Sequence, residues 1–284
     1  MSITINYAKE LENIHAKHDF IFDKTLHTEM ELEILYNMYV NNVVPNHVTN
    51  HHLIRSIGNY YQMKRDYKNM KNYYLMAIKM DDMRAMYNLG LYYSKQYDIE
   101  NMEKYYLMAI DKGYAGAMNT LGYHYHELKD YENMKKYYLM AIEKGDSNAM
   151  YNLGYYCEKQ KDYENMKKYF LMAIEKGDSD AMRRLGYYYE KQKDYKNMKK
   201  YYLMAVDKGD EVSYKYIKKF YKTNDCYIEL LELTRIYCDK INDNKLHEQC
   251  KIFQDTYCIQ YAKFLIVKKY IPIDDIINII DSYL

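Results

Sequence analysis

One period governs the middle of this chain. A Leu-Gly pair recurs as Leu89-Gly90, Leu121-Gly122, Leu153-Gly154 and Leu185-Gly186, led by Ile57-Gly58, at a constant step of 32 residues. An Asp keeps the same step at Asp66, Asp98, Asp130, Asp162 and Asp194. A unit this short cannot bury an apolar face alone, so a fixed period of this size means stacked copies sharing a continuous core. The copies fall at 51–82, 83–114, 115–146, 147–178 and 179–210, and 211–242 reads as a decayed sixth.

Each copy reads as two helices. In the fourth, a first helix spans about Ser147 to Lys159, with Ala149, Met150, Leu153, Tyr156 and Cys157 on one side. A second starts at Asp162, whose carboxylate can accept a free backbone N–H of the first turn. Tyr163, Met166, Phe170, Ala173 and Ile174 then follow at 3-4 spacing. Gly177 ends this helix by taking the left-handed conformation, as do Gly113, Gly145 and Gly209, while the first copy has Asp81 there. The apolar run 169–174 has the look of a buried strand, but the Asp cap, the Gly stop and the Glu164–Lys168 pair decide for helix. Gly58, Gly90, Gly122, Gly154 and Gly186 lie inside the first helices, where Gly costs about 1 kcal/mol relative to Ala. Close approach of the two helices of a pair is the expected compensation.

The flanks differ from the copies. Residues 1–50 carry two helical patterns, Ile5 to Ile14 and Thr28 to Val40, with Pro45 after the second, and read as an N-terminal cap. Residues 211–284 read as the degenerate copy and a C-terminal cap, with a long helix over Leu246–Lys268 and a short one from Pro272. The fold class is therefore all-α: helix-turn-helix repeats over 51–210 between two helical caps.

A net charge of +1 opposes a strong non-specific field for nucleic acid or anionic membrane. Five Cys, an odd number, fit a reducing compartment better than a disulfide framework. With no signal-peptide core and no apolar run near the roughly 18 residues of a membrane span, the expectation is a soluble, cytoplasmic protein. Catalytic motifs are missing: there is no phosphate-binding glycine loop, no Gly-x-Ser-x-Gly and no paired-acid pattern. His51 and His52, being adjacent, should point to different sides of a helix, and so should His124 and His126. His247 and Cys250, with Cys226, Cys238 and Cys258, lack the tight Cys pairs of a zinc site. No enzyme activity, metal or cofactor is expected.

The fourth copy resembles a tetratricopeptide repeat through Met150, Leu153-Gly154, Phe170 and Ala173, and Tyr93, Tyr125 and Tyr189 supply that family's first aromatic where this copy has Cys157. Met70, Met102, Met134, Met166 and Met198 stand where the family has a small Ala, and Asp178 where Pro is common. The Lys-Gly-Asp-Ser-x-Ala-Met junction is similar to that of Sel-one-like repeats, without their long Gly-rich loop. The Tyr/Asn/Lys-rich, near-identical copies also resemble repeat proteins encoded in multiple copies by giant amoebal viruses, which implies a host cytoplasm. The resemblance implies a right-handed α-solenoid, period 32, that binds a peptide or protein on a concave face lined by the first helices.

That register gives a candidate row of Arg55, Tyr87, Asn119, Tyr151 and Arg183, and a second of Asn59, Leu91, Tyr123, Tyr155 and Tyr187, extended by Lys215 and Lys219. These positions vary between copies while the packing positions stay fixed, and Tyr and Arg suit protein recognition. The alternative is an RNA-binding helical repeat stacking bases on Tyr and Arg. Only Lys215, Lys218, Lys219 and Lys222 form a basic cluster, so protein is the favoured partner.

Overall fold

The structure is a computed structural model that describes residues 7–16, 29–41, 48–224, 226, 229–230 and 232–233. Among them every regular element is an α-helix. α1 (Tyr7–Ala16) and α2 (Glu29–Asn41) precede five pairs: α3 (His51–Met63) with α4 (Tyr67–Ile78), α5 (Met83–Lys95) with α6 (Ile99–Asp111), α7 (Ala115–Glu127) with α8 (Tyr131–Glu143), α9 (Ser147–Lys159) with α10 (Tyr163–Glu175), and α11 (Ser179–Lys191) with α12 (Tyr195–Asp207). α13 (Glu211–Thr223) follows. The expected helices from Leu246 and from Pro272, Pro45, His247, and Cys238, Cys250 and Cys258 lie outside the described residues.

The turns explain why the period is so strict. Gly177 sits at φ 86°, and its N–H reaches the Ile174 carbonyl at 2.8 Å while the Asp178 N–H reaches the Ala173 carbonyl at 3.1 Å. This is the Schellman closure of a helix. The carboxylate of the same Asp178 then accepts the Ala181 N–H at 2.8 Å, opening α11. One residue thus closes one helix and caps the next, which is why Asp replaces Pro here. The turn inside each pair repeats the device. Lys161 at φ 60° precedes Asp162, which accepts the Asn165 N–H at 3.2 Å and its side-chain amide at 2.7 Å. The corresponding Asn69, Asn133 and Asn197 bonds hold the carboxyls of Asp66, Asp130 and Asp194 below the usual carboxylate range.

The helix-interior glycines make room for aromatic rings. A Cβ on Gly58, Gly90, Gly122 or Gly186 would come within 2.5, 2.6, 2.7 and 2.6 Å of the ring of Tyr74, Tyr106, Tyr138 and Tyr202 respectively. On Gly154 it would lie 2.7 Å from Phe170. All five rings are buried, along with the recurring Met70, Met102, Met134, Met166 and Met198. A second layer comes from parallel stacks joining the helices of a pair, Tyr93–Tyr105, Tyr125–Tyr137 and Tyr189–Tyr201, at 5.6, 5.5 and 5.6 Å between centroids. In α9 the buried thiol of Cys157 replaces the first ring of this stack. The run 169–174 is helical, inside α10; Tyr163, expected on its apolar side, is 41% exposed and meets Tyr188 instead.

The aromatic slot also accounts for one departure between copies. Tyr202 donates its hydroxyl to Glu190 Oε2 at 2.9 Å. Glu158 holds the same place relative to Phe170, which has no hydroxyl, and Glu158 Oε2 is buried without a hydrogen bond, 3.5 Å from Arg184 Nη1. Phe170→Tyr should supply that donor and raise stability by about 1 kcal/mol, read as a higher urea midpoint. An unchanged or lower midpoint would show that the slot in this copy does not accept the hydroxyl.

The chain forms two compact units, Met1–Asp146 and Ser147–Leu284. In the first, Leu11, Leu35 and Met38 from α1 and α2 pack with Leu53, Ile57 and Tyr60 of α3. Ile54, Met70, Tyr74, Ala85 and Leu89 continue that core through the next pair. In the second, Met198, Tyr202 and Val206 of α12 pack with Tyr214, Ile217 and Tyr221 of α13, and Leu230 and Leu233 close the cluster.

Candidate functional site

The candidate positions sit on the first helix of each pair and, for Lys215 and Lys219, on α13. In the first unit, two of them turn inward. Arg55 is 3% exposed and donates from Nη1 to Asp82 Oδ2 at 2.7 Å. Asn59, equally buried, accepts from the Tyr74 hydroxyl at 2.7 Å and from Asn88 at 3.1 Å. Both were expected on an accessible row. The acid at the start of α5 and the slot tyrosine of α4 draw them into the interior instead.

Asp82 gathers more than Arg55. Its Oδ1 caps α5 through the Ala85 N–H, and its Oδ2 also meets His51 Nδ1 at 2.9 Å and lies 3.6 Å from His52 Nδ1. The two imidazoles, expected to point apart, stand with centroids 3.8 Å apart because Asp82 closes over the first turn of α3. Burial, the neighbouring His51 and Arg55 lower the pKa of His52. His51, His52 and Asp82 place ligand-type atoms within 4.8 Å of one another. Two of them already face Arg55 Nη1, Asp82 Oδ2 at 2.7 Å and His52 Nδ1 at 3.2 Å. A divalent ion would have to displace that guanidinium, so the cluster's chemistry is that of a buried ion pair.

The remaining first-unit positions stay nearer the surface. Tyr87 is half-buried, hydrogen-bonded to the Thr120 hydroxyl at 3.1 Å and packed against Tyr106 and Tyr114. Leu91 and Asn119 are half-buried. Tyr123 is 54% exposed, its ring alongside His126 at 6.3 Å. His124 meets Tyr125 instead, so these two imidazoles do point apart.

In the second unit the tyrosines form a stack. Tyr151 and Tyr155 are parallel at 6.4 Å, and the Arg184 guanidinium lies 4.6 Å over Tyr155 while donating to the Tyr151 hydroxyl at 3.3 Å. Lys159 covers Tyr155 at 4.9 Å, and Lys191 covers the exposed Tyr187 at 5.0 Å. Arg183 is held by Asp180 and, at 2.7 Å, by Asp210. Lys215 pairs with Glu211 one turn away, and Lys219 is exposed. Sequence reasoning missed Arg184. Its contact, like Tyr87 with Thr120, joins one copy to the next at a separation of 33 residues, and no single copy contains both partners. The Tyr155–Lys159 and Tyr187–Lys191 pairs carried a legible signal in their i,i+4 spacing.

Among the described residues no helix is long and apolar enough to cross a membrane. Residues 115–143, 147–175 and 179–207 match the family model of the tetratricopeptide repeat. A comparison with curated protein sequences gave no match. Among solved structures, a Sel1 repeat protein from Oxalobacter formigenes is similar with a TM-score of 0.57 at 20% identity, over 88% of this chain and 99% of that one. A protective antigen of uropathogenic Escherichia coli that displays an SLR fold aligns with a TM-score of 0.46 at 20% identity, over 81% of this chain and 54% of the other. The matched repeats and the consecutive helix pairs agree: residues 115–207 match the tetratricopeptide repeat, and the chain shares its helix-pair fold with a Sel1 repeat protein.

Proposed function

We propose that the chain is a non-enzymatic scaffold that holds a peptide or protein segment on the open side of its first helices. The observation that carries this reading is the exposure of Tyr123 and Tyr187, at 54% and 37%, on helices whose fixed positions are buried. A large ring left in water at a position free to vary contributes nothing to the scaffold, and Tyr offers rigid contact area with a polar tip. In the first unit the patch is Leu91 with Tyr123; in the second it is Tyr155, Arg184 and Tyr187. Tetratricopeptide repeats generally serve as interaction scaffolds, which supports the same reading.

Tyr123→Ala combined with Tyr155→Ala should weaken partner capture in a pull-down at least about tenfold, the scale of a truncated interface hot spot. The melting temperature should stay within a few degrees of the parent's. Equal capture by parent and variant would remove this side of the helices from consideration.

A further inference from the structure

We infer that the first unit carries a second interaction surface, on the exposed side of α4 and α6, and that its occupant is a second copy of this chain. Leu75 and Leu107 are 40% and 42% exposed, although their neighbours Tyr74, Ala77, Tyr106 and Ala109 are essentially fully buried. The leucines therefore stand outside the core. Met76, 46% exposed, widens the apolar strip.

Charge selects the occupant. One turn to either side of Leu75 lie Lys71 and Lys79, and one turn to either side of Leu107 lie Glu103 and Asp111. Residues three or four apart share a helix face, so a leucine flanked by lysines alone stands beside one flanked by two carboxylates and a single lysine, Lys104. The two helices are neighbours: Met108 of α6 and Tyr73 and Ile78 of α4 pack on one core cluster, and Lys112 reaches Asp81 at 2.6 Å just beyond the two helix ends. Such a strip complements itself. About a two-fold axis running along the groove between α4 and α6, each α4 faces the other copy's α6, the self-matching geometry of a two-fold interface. Lysines then meet carboxylates at both ends of each leucine. A register centred on α6 would set Glu103 and Asp111 against themselves, which like-charge repulsion forbids. In α8, Leu139 is flanked by Lys135 and Glu143, a mixed pattern that offers no such match.

Sedimentation velocity of the full chain at low salt and tens of micromolar tests this. The parent should sediment as a dimer. K71E/K79E and E103K/D111K should each weaken self-association at least about tenfold, by placing like charges across the interface. An equimolar mixture of these two variants should recover a dimer, because one is then acidic and the other basic on both helices. The quadruple variant should dimerise alone. Glu103 also accepts from the Tyr125 hydroxyl at 3.1 Å. Thermal melts therefore accompany each sample, and D111K alone replaces the double variant where that one melts early. A monomeric parent, or a mixture that stays monomeric, overturns the proposal.

Discussion

Gly154→Leu should lower the melting temperature by about 5–10 °C, from a net loss of about 2–3 kcal/mol. The Cβ alone would stand 2.7 Å from Cδ1 of Phe170, a ring with no exposed surface and therefore no free direction in which to yield. Against this, leucine in place of glycine inside α9 gains about 1 kcal/mol of helix propensity. The steric term wins because accommodating the side chain means moving α10 away from α9. Far-UV ellipticity should fall as the pair separates. An unchanged melt would show that Gly154 is not there to admit Phe170, and with it the equivalent reading of Gly58, Gly90, Gly122 and Gly186 would go.

Asp82→Asn should cost about 3–5 kcal/mol, the range for leaving one partner of a buried ion pair uncompensated. The asparagine keeps an acceptor for the Ala85 N–H, so the α5 cap survives and the loss reports on charge. Arg55, at 4% side-chain exposure, would keep a guanidinium with no counter-charge. The double variant Asp82→Asn with Arg55→Met should recover most of the loss, because it removes both charges while keeping the α5 cap. Urea midpoints of the parent and the two variants give the comparison. A loss below about 1 kcal/mol for Asp82→Asn would mean that the pair is effectively solvated.

The scaffold was legible because its signals are local and repeated. Asp162 and Gly177 mark a helix start and stop by their own chemistry, and the 32-residue step multiplies a weak local signal into a strong one. The left-handed residue in the turn within each pair was not legible. Arg65, Tyr97, Lys129, Lys161 and Lys193 all take φ between 57° and 60°, and none of these residue types announces it. They are held there by the Schellman bond that the following Asp makes, a constraint of the turn as a whole. The candidate site was legible only in register. Tyr123 and Tyr187 are exposed, yet Asn59, at the same repeat position, and Arg55, one turn before it, are buried. Their fate depends on Asp82 and Tyr74, which reach them only once the chain has folded back. Arg184 was hidden for the same reason, being a neighbour of Tyr151 across one full repeat.

The most direct test of the scaffold reading is site-specific photo-crosslinking in cells, with benzoylphenylalanine placed singly at Tyr123, Tyr187 or Tyr97. Tyr97 is the control: it is 88% exposed, more than either of the others, but lies in the turn between α5 and α6. Adducts to a distinct protein from Tyr123 or Tyr187, and none from Tyr97, are the result this account predicts. Adducts that follow exposure alone, strongest at Tyr97, would contradict it.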